Sequence, residues 1–160
     1  MKKIQYNEYF EEVSDSLSNN GAFLTVKSND NLNTMTIGWA NIGYIWGKAI
    51  MMVAVRKSRY TYKLIEKSND FTVSVPFNDK MLEELKFCGS KSGRNVDKFD
   101  KCNLSLISSE KVNTPIIKGA NIHYECKIVY KQKMISDNLV DSYNNNYYKY
   151  DDYHTFFFGE

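Results

Sequence analysis

The 160-residue chain reads as a mainly β protein, an antiparallel β-barrel, closed or partly closed, with flanking helices. Three observations predict it. About five to seven short apolar or alternating runs are bounded by turn residues. Helical spacing is confined to a few short peripheral stretches. No regular strand–helix alternation exists of the kind a doubly wound parallel sheet requires. The chain carries no internal repeat, and its length suits one domain over 1–160, with 1–20 as an N-terminal helical segment.

Each element has its own local reason. Tyr6, Phe10, Val13 and Leu17 recur at helical spacing and predict an amphipathic helix from Tyr6 to Leu17, closed by Gly21. Ala22 to Lys27 and Asn33 to Ala40 predict two strands of a hairpin around the polar turn Ser28-Asn29-Asp30-Asn31. Ile50 to Arg56 is a compact apolar run with the length of a buried strand. Ser58 suits a helix cap, Arg59 to Lys67 carries helical spacing, and Ser68-Asn69-Asp70 closes it. Phe71 to Val75 alternates apolar and hydroxyl residues as a strand and stops at Pro76. Asp79 suits the cap of a helix from Lys80 to Phe87, terminated by Gly89. Ile122 to Ile128 alternates as a half-buried strand, Asn144-Asn145-Asn146 reads as a polar loop, and His154 to Phe158 forms a last strand. The chain stops directly after that strand, at Gly159-Glu160, so the strand is expected at a sheet edge or a tail is expected to be missing.

Composition narrows the function. A hydrophobic fraction of 42% and a charged fraction of 25% are those of an ordinary soluble domain. A net charge of +2 gives no bulk attraction to nucleic acid or an acidic membrane. No run approaches the roughly 20 apolar residues of a membrane span, and the N-terminus has no apolar signal core. Cys88, Cys102 and Cys126 stand far apart, without disulfide or zinc spacing, and point to a reducing cytoplasm.

Three segments could carry chemistry. Arg56-Lys57-Ser58-Arg59-Tyr60-Thr61 lies where a buried strand hands over to a helix, and supplies guanidinium, hydroxyl and backbone donors of the kind a phosphate monoester needs. Phe87-Cys88-Gly89-Ser90-Lys91-Ser92-Gly93-Arg94 follows a helix end, where two glycines permit converging N–H groups and Ser90, Lys91, Ser92 and Arg94 add donors. Its order is not that of a Walker loop. Thr34-Met35-Thr36-Ile37-Gly38-Trp39-Ala40-Asn41 offers a close backbone approach at Gly38, an apolar surface at Trp39, and polar edges at Thr36 and Asn41. Taken singly, the three also read as a solvated helix start, a helix cap with its loop, and a core strand. Two phosphate-type loops in one small domain favour a phosphate ligand.

Of the two histidines, His123 sits in an alternating strand, while His154 follows Asp151-Asp152-Tyr153 at the mouth of the last strand. No nucleophile elbow accompanies either, which leaves a hydrolytic triad unsupported. Cys88 reads either as a thiol activated by the basic loop or as a buried inert one. The 12 tyrosines are dispersed and form no RNA-binding signature, and no Gly-x-Gly-x-x-Gly indicates a Rossmann site.

The order Met35–Asn41, Val55–Tyr62, Phe87–Arg94 with Asp97-Lys98-Phe99, Ile122–Lys127 and Asp152–Glu160 resembles the flavoredoxin branch of the flavin reductase family, from about Gly21 to Glu160. The resemblance implies an FMN-binding split barrel, a homodimer with the flavin near the subunit interface, and cytoplasmic flavin reductase activity. It implies phosphate contacts from Ser58, Arg59, Tyr60 and Thr61, helped by Ser90, Lys91 and the backbone around Gly89, with Arg56, Cys88 and Ser92 as further cofactor-binding residues. It further implies that Thr36, Gly38, Trp39 and Asn41 line the ring or ribityl chain, and that His154 positions the nicotinamide. NADH or NADPH would supply hydride to FMN, which passes electrons to free flavin, a redox protein or another acceptor. The alternative within the same likeness is a non-catalytic FMN-binding electron carrier. Two departures stand out: members often run on past the final Gly-Glu, and Trp46-Gly47-Lys48-Ala49 lacks a proline usual there, which changes a turn.

Overall fold

The computed structural model describes residues 2–160. Its frame is one seven-stranded sheet in the spatial order β2-β1-β5-β8-β9-β4-β3, with every neighbouring pair antiparallel. The strands are β1 (Ala22–Ser28), β2 (Asn31–Ile37), β3 (Ala40–Ile45), β4 (Lys48–Arg56), β5 (Asp70–Val75), β8 (Ile122–Lys133) and β9 (His154–Gly159). A two-stranded ladder of β6 (Leu106–Ile107) and β7 (Ile116–Ile117) stands apart. Five helices accompany the sheet: α1 (Phe10–Asn19), α2 (Tyr60–Ile65), α3 (Leu82–Ser90), α4 (Lys98–Lys101) and α5 (Asp141–Tyr147). None of the helices is long and apolar enough to cross a membrane.

This mixed α/β arrangement corrects the barrel expected from the sequence. The two edge strands, β2 and β3, are consecutive in the chain and joined only by Gly38-Trp39, yet no ladder pairs them. The sheet therefore coils until its edges meet at a covalent link and stays open along the hydrogen-bonding direction. The single strand expected over Asn33–Ala40 is broken at the same place. A Cβ on Gly38 would stand 2.9 Å from the carbonyl oxygen of Leu17, so the end of α1 presses against the backbone where a strand would continue. Beyond the break, Ala54 N–H donates to Trp39 O at 3.0 Å and anchors the start of β3.

β8 holds the two halves of the sheet together. Residues 122–127 pair with β5, and the strand then passes an irregularity between Ile128 and Tyr130 to pair with β9. A bulge of this kind bends a strand and increases its twist. β9 consequently lies between β8 and β4, in the sheet interior and not at an edge.

β5 is buried along its whole length, which explains its alternation of apolar and hydroxyl residues. Phe71, Val73 and Val75 enter the main core with Val13, Leu24, Val53 and Phe157. The polar side chains on the other face are satisfied by the 113–117 segment. Thr72 Oγ1 donates to Pro115 O at 2.7 Å, Ser74 Oγ accepts from Ile117 N–H at 3.1 Å, and the Asp70 carboxylate accepts from Thr114 N–H at 3.0 Å. Buried polar groups persist only when paired in this way.

Several local expectations are corrected. α1 begins at Phe10, because Tyr9 takes a left-handed φ of 64° that helix propagation does not allow. α3 begins at Leu82 behind a left-handed Met81, so Asp79 does not cap it, and it runs through Gly89 to Ser90. Asn144–Asn146 belong to α5 and not to a loop. The turn at Trp46-Gly47 is a two-residue hairpin with both φ values positive, 56° and 71°.

At Gly159, between β4 and β8, an added Cβ would stand 2.5 Å from Cys126 Cβ and 2.8 Å from Phe71 Cζ. Gly159→Ala is expected to destabilise the protein by about 1–3 kcal/mol through overpacking. Chemical denaturation of both proteins measures it.

Candidate functional site

Two adjoining clefts open along the β2 edge. The first, about 450 Å³, lies between β2, the start of α2, the end of α3 and α4. The second, about 470 Å³, lies over the Gly38-Trp39 link and the facing ends of β4 and β9. Met35 and Arg59 belong to both, so the two form one continuous groove.

The first cleft gathers residues from distant stretches of chain. Ser58, Arg59, Tyr60 and Thr61 come from the β4–α2 junction, and Cys88, Gly89, Ser90, Lys91 and Ser92 from α3 and the residues after it. Arg94 joins them: its guanidinium donates to Ser58 O at 3.1 Å and stands 5.7 Å from the centre of the Tyr60 ring. Because α3 continues through Ser90, the Cys88–Ser90 backbone is the last turn of a helix and not a nest beyond it.

Lys98 closes the floor, and it is the residue that the local sequence motifs understate. Asp97 caps α4 by accepting from Phe99 N–H and Asp100 N–H, which makes Lys98 the first helical residue and turns it inward. The side chain is 3% exposed. Its ammonium donates to Thr34 O at 2.8 Å and Cys88 O at 2.7 Å, tying β2 to α3. Burial pushes its pKa below the usual lysine value, and Arg59 pushes in the same direction. Among the described residues no carboxylate pairs with Lys98, Arg59, Lys91 or Arg94, and neither cleft is lined by one. The first cleft is thus a cationic hollow without a counter-ion. The Asp97-Lys98-Phe99 block was the visible signal for it.

The hydroxyls of this region divide by their commitments. Ser58 does not cap α2; its N–H and Oγ–H both donate to the Asp152 carboxylate, at 3.1 and 2.5 Å. Thr36 Oγ1 donates to Leu85 O at 2.6 Å and Ser90 Oγ to Phe87 O at 3.3 Å. Thr61 Oγ1 accepts from Asn33 at 2.7 Å and Ser92 Oγ from Arg94 N–H at 3.3 Å, which leaves both hydroxyl protons available. The Cys88 thiol is buried, and burial pushes its pKa up to about 12, so it is an inert thiol.

Thr36, Gly38, Trp39, Arg56 and His154 line the second cleft. Asn41 lies exposed on β3, outside both. The Arg56 guanidinium donates to Asp152 O and Tyr147 O, each at 3.0 Å, and so straps the segment after α5 onto the sheet. It also lies 5.9 Å from the centre of Trp39 and 5.0 Å from that of Tyr148. The His154 ring packs against Trp39 with centroids 4.7 Å apart, and its Nδ1 pairs with the Tyr148 hydroxyl at 2.7 Å. Burial, followed by the Arg56 charge, pushes the His154 pKa down to about 4, so the imidazole is neutral at neutral pH. Tyr148 had no signal in its tyrosine-rich surroundings. His123 is remote from the groove, paired with Ser74 Oγ at 3.0 Å on the β5–β8 ladder.

Known proteins share this frame. The family model described as "Flavin reductase like domain" matches residues 15–160. An uncharacterized protein of Archaeoglobus fulgidus is 33% identical over 107 residues, covering 67% of this chain and 59% of its own length, so the chain spans less than two thirds of that relative. Flavoredoxin of Desulfovibrio vulgaris superposes with a TM-score of 0.67 at 23% identity, over 88% of this chain and 65% of that one. Flavoredoxin from Methanosarcina acetivorans superposes at 0.69 and 23% identity, over 100% of this chain and 72% of that one.

The neutral histidine has a pH consequence. Its pKa is about 4 in the folded protein against the ordinary 6.5, so between these values the unfolded chain binds more protons. Stability should therefore fall as pH drops from 6.5 toward 4. The loss between pH 7 and pH 5 is expected to be smaller in His154→Gln by about 2 kcal/mol, measured by urea unfolding at each pH.

Proposed function

The chain belongs to the flavin reductase like domain family, and we propose that it is an FMN-dependent oxidoreductase whose electron donor is NADH or NADPH. The observation that carries this reading is the buried Lys98 ammonium in a hollow with Arg59, Lys91 and Arg94 and no carboxylate. A buried cation is costly without a partner charge, and a dianionic phosphate ester supplies one. The groove runs from that hollow onto Trp39 and Met35, an apolar surface suited to a flat ring. Charge at one end and aromatic surface at the other fit FMN.

When bound, FMN would supply the two-electron chemistry between a nicotinamide donor and free flavin or another acceptor. Lys98, Arg59 and Lys91 hold the phosphate, with the free hydroxyl protons of Thr61 and Ser92 as further donors. Gly38 and Trp39 form the ring wall. His154 offers a neutral polar edge beside it, for positioning and not for proton transfer. The electron-carrier reading shares every one of these contacts and differs only in lacking a nicotinamide site. The aromatic cleft around His154 favours the reductase.

We propose that the subunit contact of a homodimer lies on the exposed surface of β3, its turn and β8, where Trp46 packs edge-on to Tyr130 and Tyr44, Ile45 and Val129 are also exposed. Trp46→Lys is expected to shift the protein from dimer to monomer in sedimentation velocity; an unchanged dimer places the contact elsewhere.

Titration of the purified protein with FMN is expected to saturate near one equivalent per subunit. Arg59→Ala should weaken binding about 10- to 100-fold, the effect of one charge-assisted hydrogen bond. Ser58→Ala should weaken it far less, since its donors already serve Asp152. Rapid mixing of the loaded protein with NADH and NADPH should bleach the flavin absorbance with at least one of them. Bleaching by neither leaves the electron carrier.

A further inference from the structure

Behind the second cleft stands a buried pair. Tyr148 is 5% exposed, and its hydroxyl has one partner, His154 Nδ1 at 2.7 Å. Its ring stacks on Tyr153 with centroids 4.8 Å apart, and the Arg56 guanidinium lies 5.0 Å from its centre. Trp39 holds the imidazole from the cleft side. Neither ring is free to turn away from the other.

A phenol and a neutral imidazole can pair in two ways. Either the phenol O–H donates to Nδ1, or an Nδ1–H donates to the phenol oxygen. The second arrangement leaves the phenol proton buried without an acceptor, because the hydroxyl has no other partner. The first uses the more acidic proton and the more basic acceptor, and the Arg56 cation over the ring makes the phenol a stronger donor still. The imidazole proton then resides on Nε2. Among the described residues no fully buried side-chain nitrogen or oxygen lacks a partner, and Nε2 has none, so Nε2 is the ring nitrogen left open to solvent, on a residue that lines the cleft.

We propose that Tyr148 is a positioning residue that locks His154 as the Nε2–H tautomer, so that the second cleft presents a neutral hydrogen-bond donor to a carbonyl oxygen, the carboxamide oxygen of the nicotinamide. The proposal deepens the reductase reading and rests on it for the identity of the acceptor. A neutral donor suits that partner because it orients an amide carbonyl without adding a charge beside the hydride path. Arg56 joins the arrangement by holding the carbonyls on both sides of Tyr148, those of Tyr147 and Asp152.

The test begins with the protein's own histidines. The chain has two, so long-range proton–nitrogen correlation on full-length, 15N-histidine-labelled protein resolves both, and His123→Gln assigns them. Near neutral pH, His154 is expected to show a protonated Nε2 and an accepting Nδ1. A protonated Nδ1 in the unmodified protein overturns the proposal without any variant having to fold. In Tyr148→Phe the lock is expected to release into a mixture of tautomers; a folded variant with the wild-type pattern overturns the role of Tyr148. In FMN-loaded protein, Tyr148→Phe should raise KM for the nicotinamide by the inverse of the Nε2–H fraction that the spectrum reads, about twofold for an even mixture, with a smaller change in kcat. An unchanged KM overturns the positioning role. Failure of the unmodified protein to be bleached by NADH or NADPH overturns the reductase reading and the acceptor with it, whereas the tautomer spectrum judges Tyr148 independently.

Discussion

A buried ammonium needs acceptors, an anion, or both, and the structure gives Lys98 two carbonyls and no carboxylate. Much of the site depends on that constraint. The two carbonyls belong to Thr34 on β2 and Cys88 on α3, so one side chain sets the distance between the sheet edge and the helix that walls the first cleft. Hydrogen bonding to neutral carbonyls keeps the amine in place but leaves its charge uncompensated. Arg59, Lys91 and Arg94 add to the same field instead of relieving it. A hollow built this way gathers positive charge that the chain itself leaves uncompensated.

The other end of the groove follows an opposite logic. Around Trp39 and His154 the imidazole carries no charge of its own, although Arg56 and Arg59 also line the cleft. The imidazole is held neutral by burial and by the nearby Arg56, while Arg56 itself is engaged by the carbonyls of Tyr147 and Asp152 and by the aromatic faces below it. The guanidinium therefore works as a strap across the segment after α5, a helix that has no buried residue of its own. Asp152 fastens the same segment to Ser58. One arginine and one aspartate thus secure the wall that carries Tyr148 and His154.

Between the two ends lies the link that opens the sheet. Gly38-Trp39 interrupts pairing between β2 and β3 and lines the aromatic half of the groove, which meets the cationic half at Met35 and Arg59. Had the edges paired, the backbone at 38–39 would have been taken up in a ladder and Trp39 fixed within it. The contact of α1 with Gly38 accordingly shapes the site although α1 contributes no side chain to either cleft.

Local pattern determined much of this protein. The alternation of Ile122–Ile128, the apolar run of Ile50–Arg56 and the polar turn at 28–31 appear as strands and hairpin close to where they were expected, because periodicity of burial acts over a few residues. The basic and glycine-bearing blocks also marked stretches that meet along the first cleft. Only the tertiary structure decided how they meet. The opening of the sheet at Gly38 depends on the end of α1, the interior place of β9 on the bend in β8, and the inward turn of Lys98 on carbonyls 64 and 10 residues away. The selection of Tyr148 among twelve tyrosines rests likewise on Arg56 and His154 reaching it from two separate strands. Side-chain type and spacing are local quantities; burial, charge compensation and tautomer are properties of neighbours that the chain brings together only by folding.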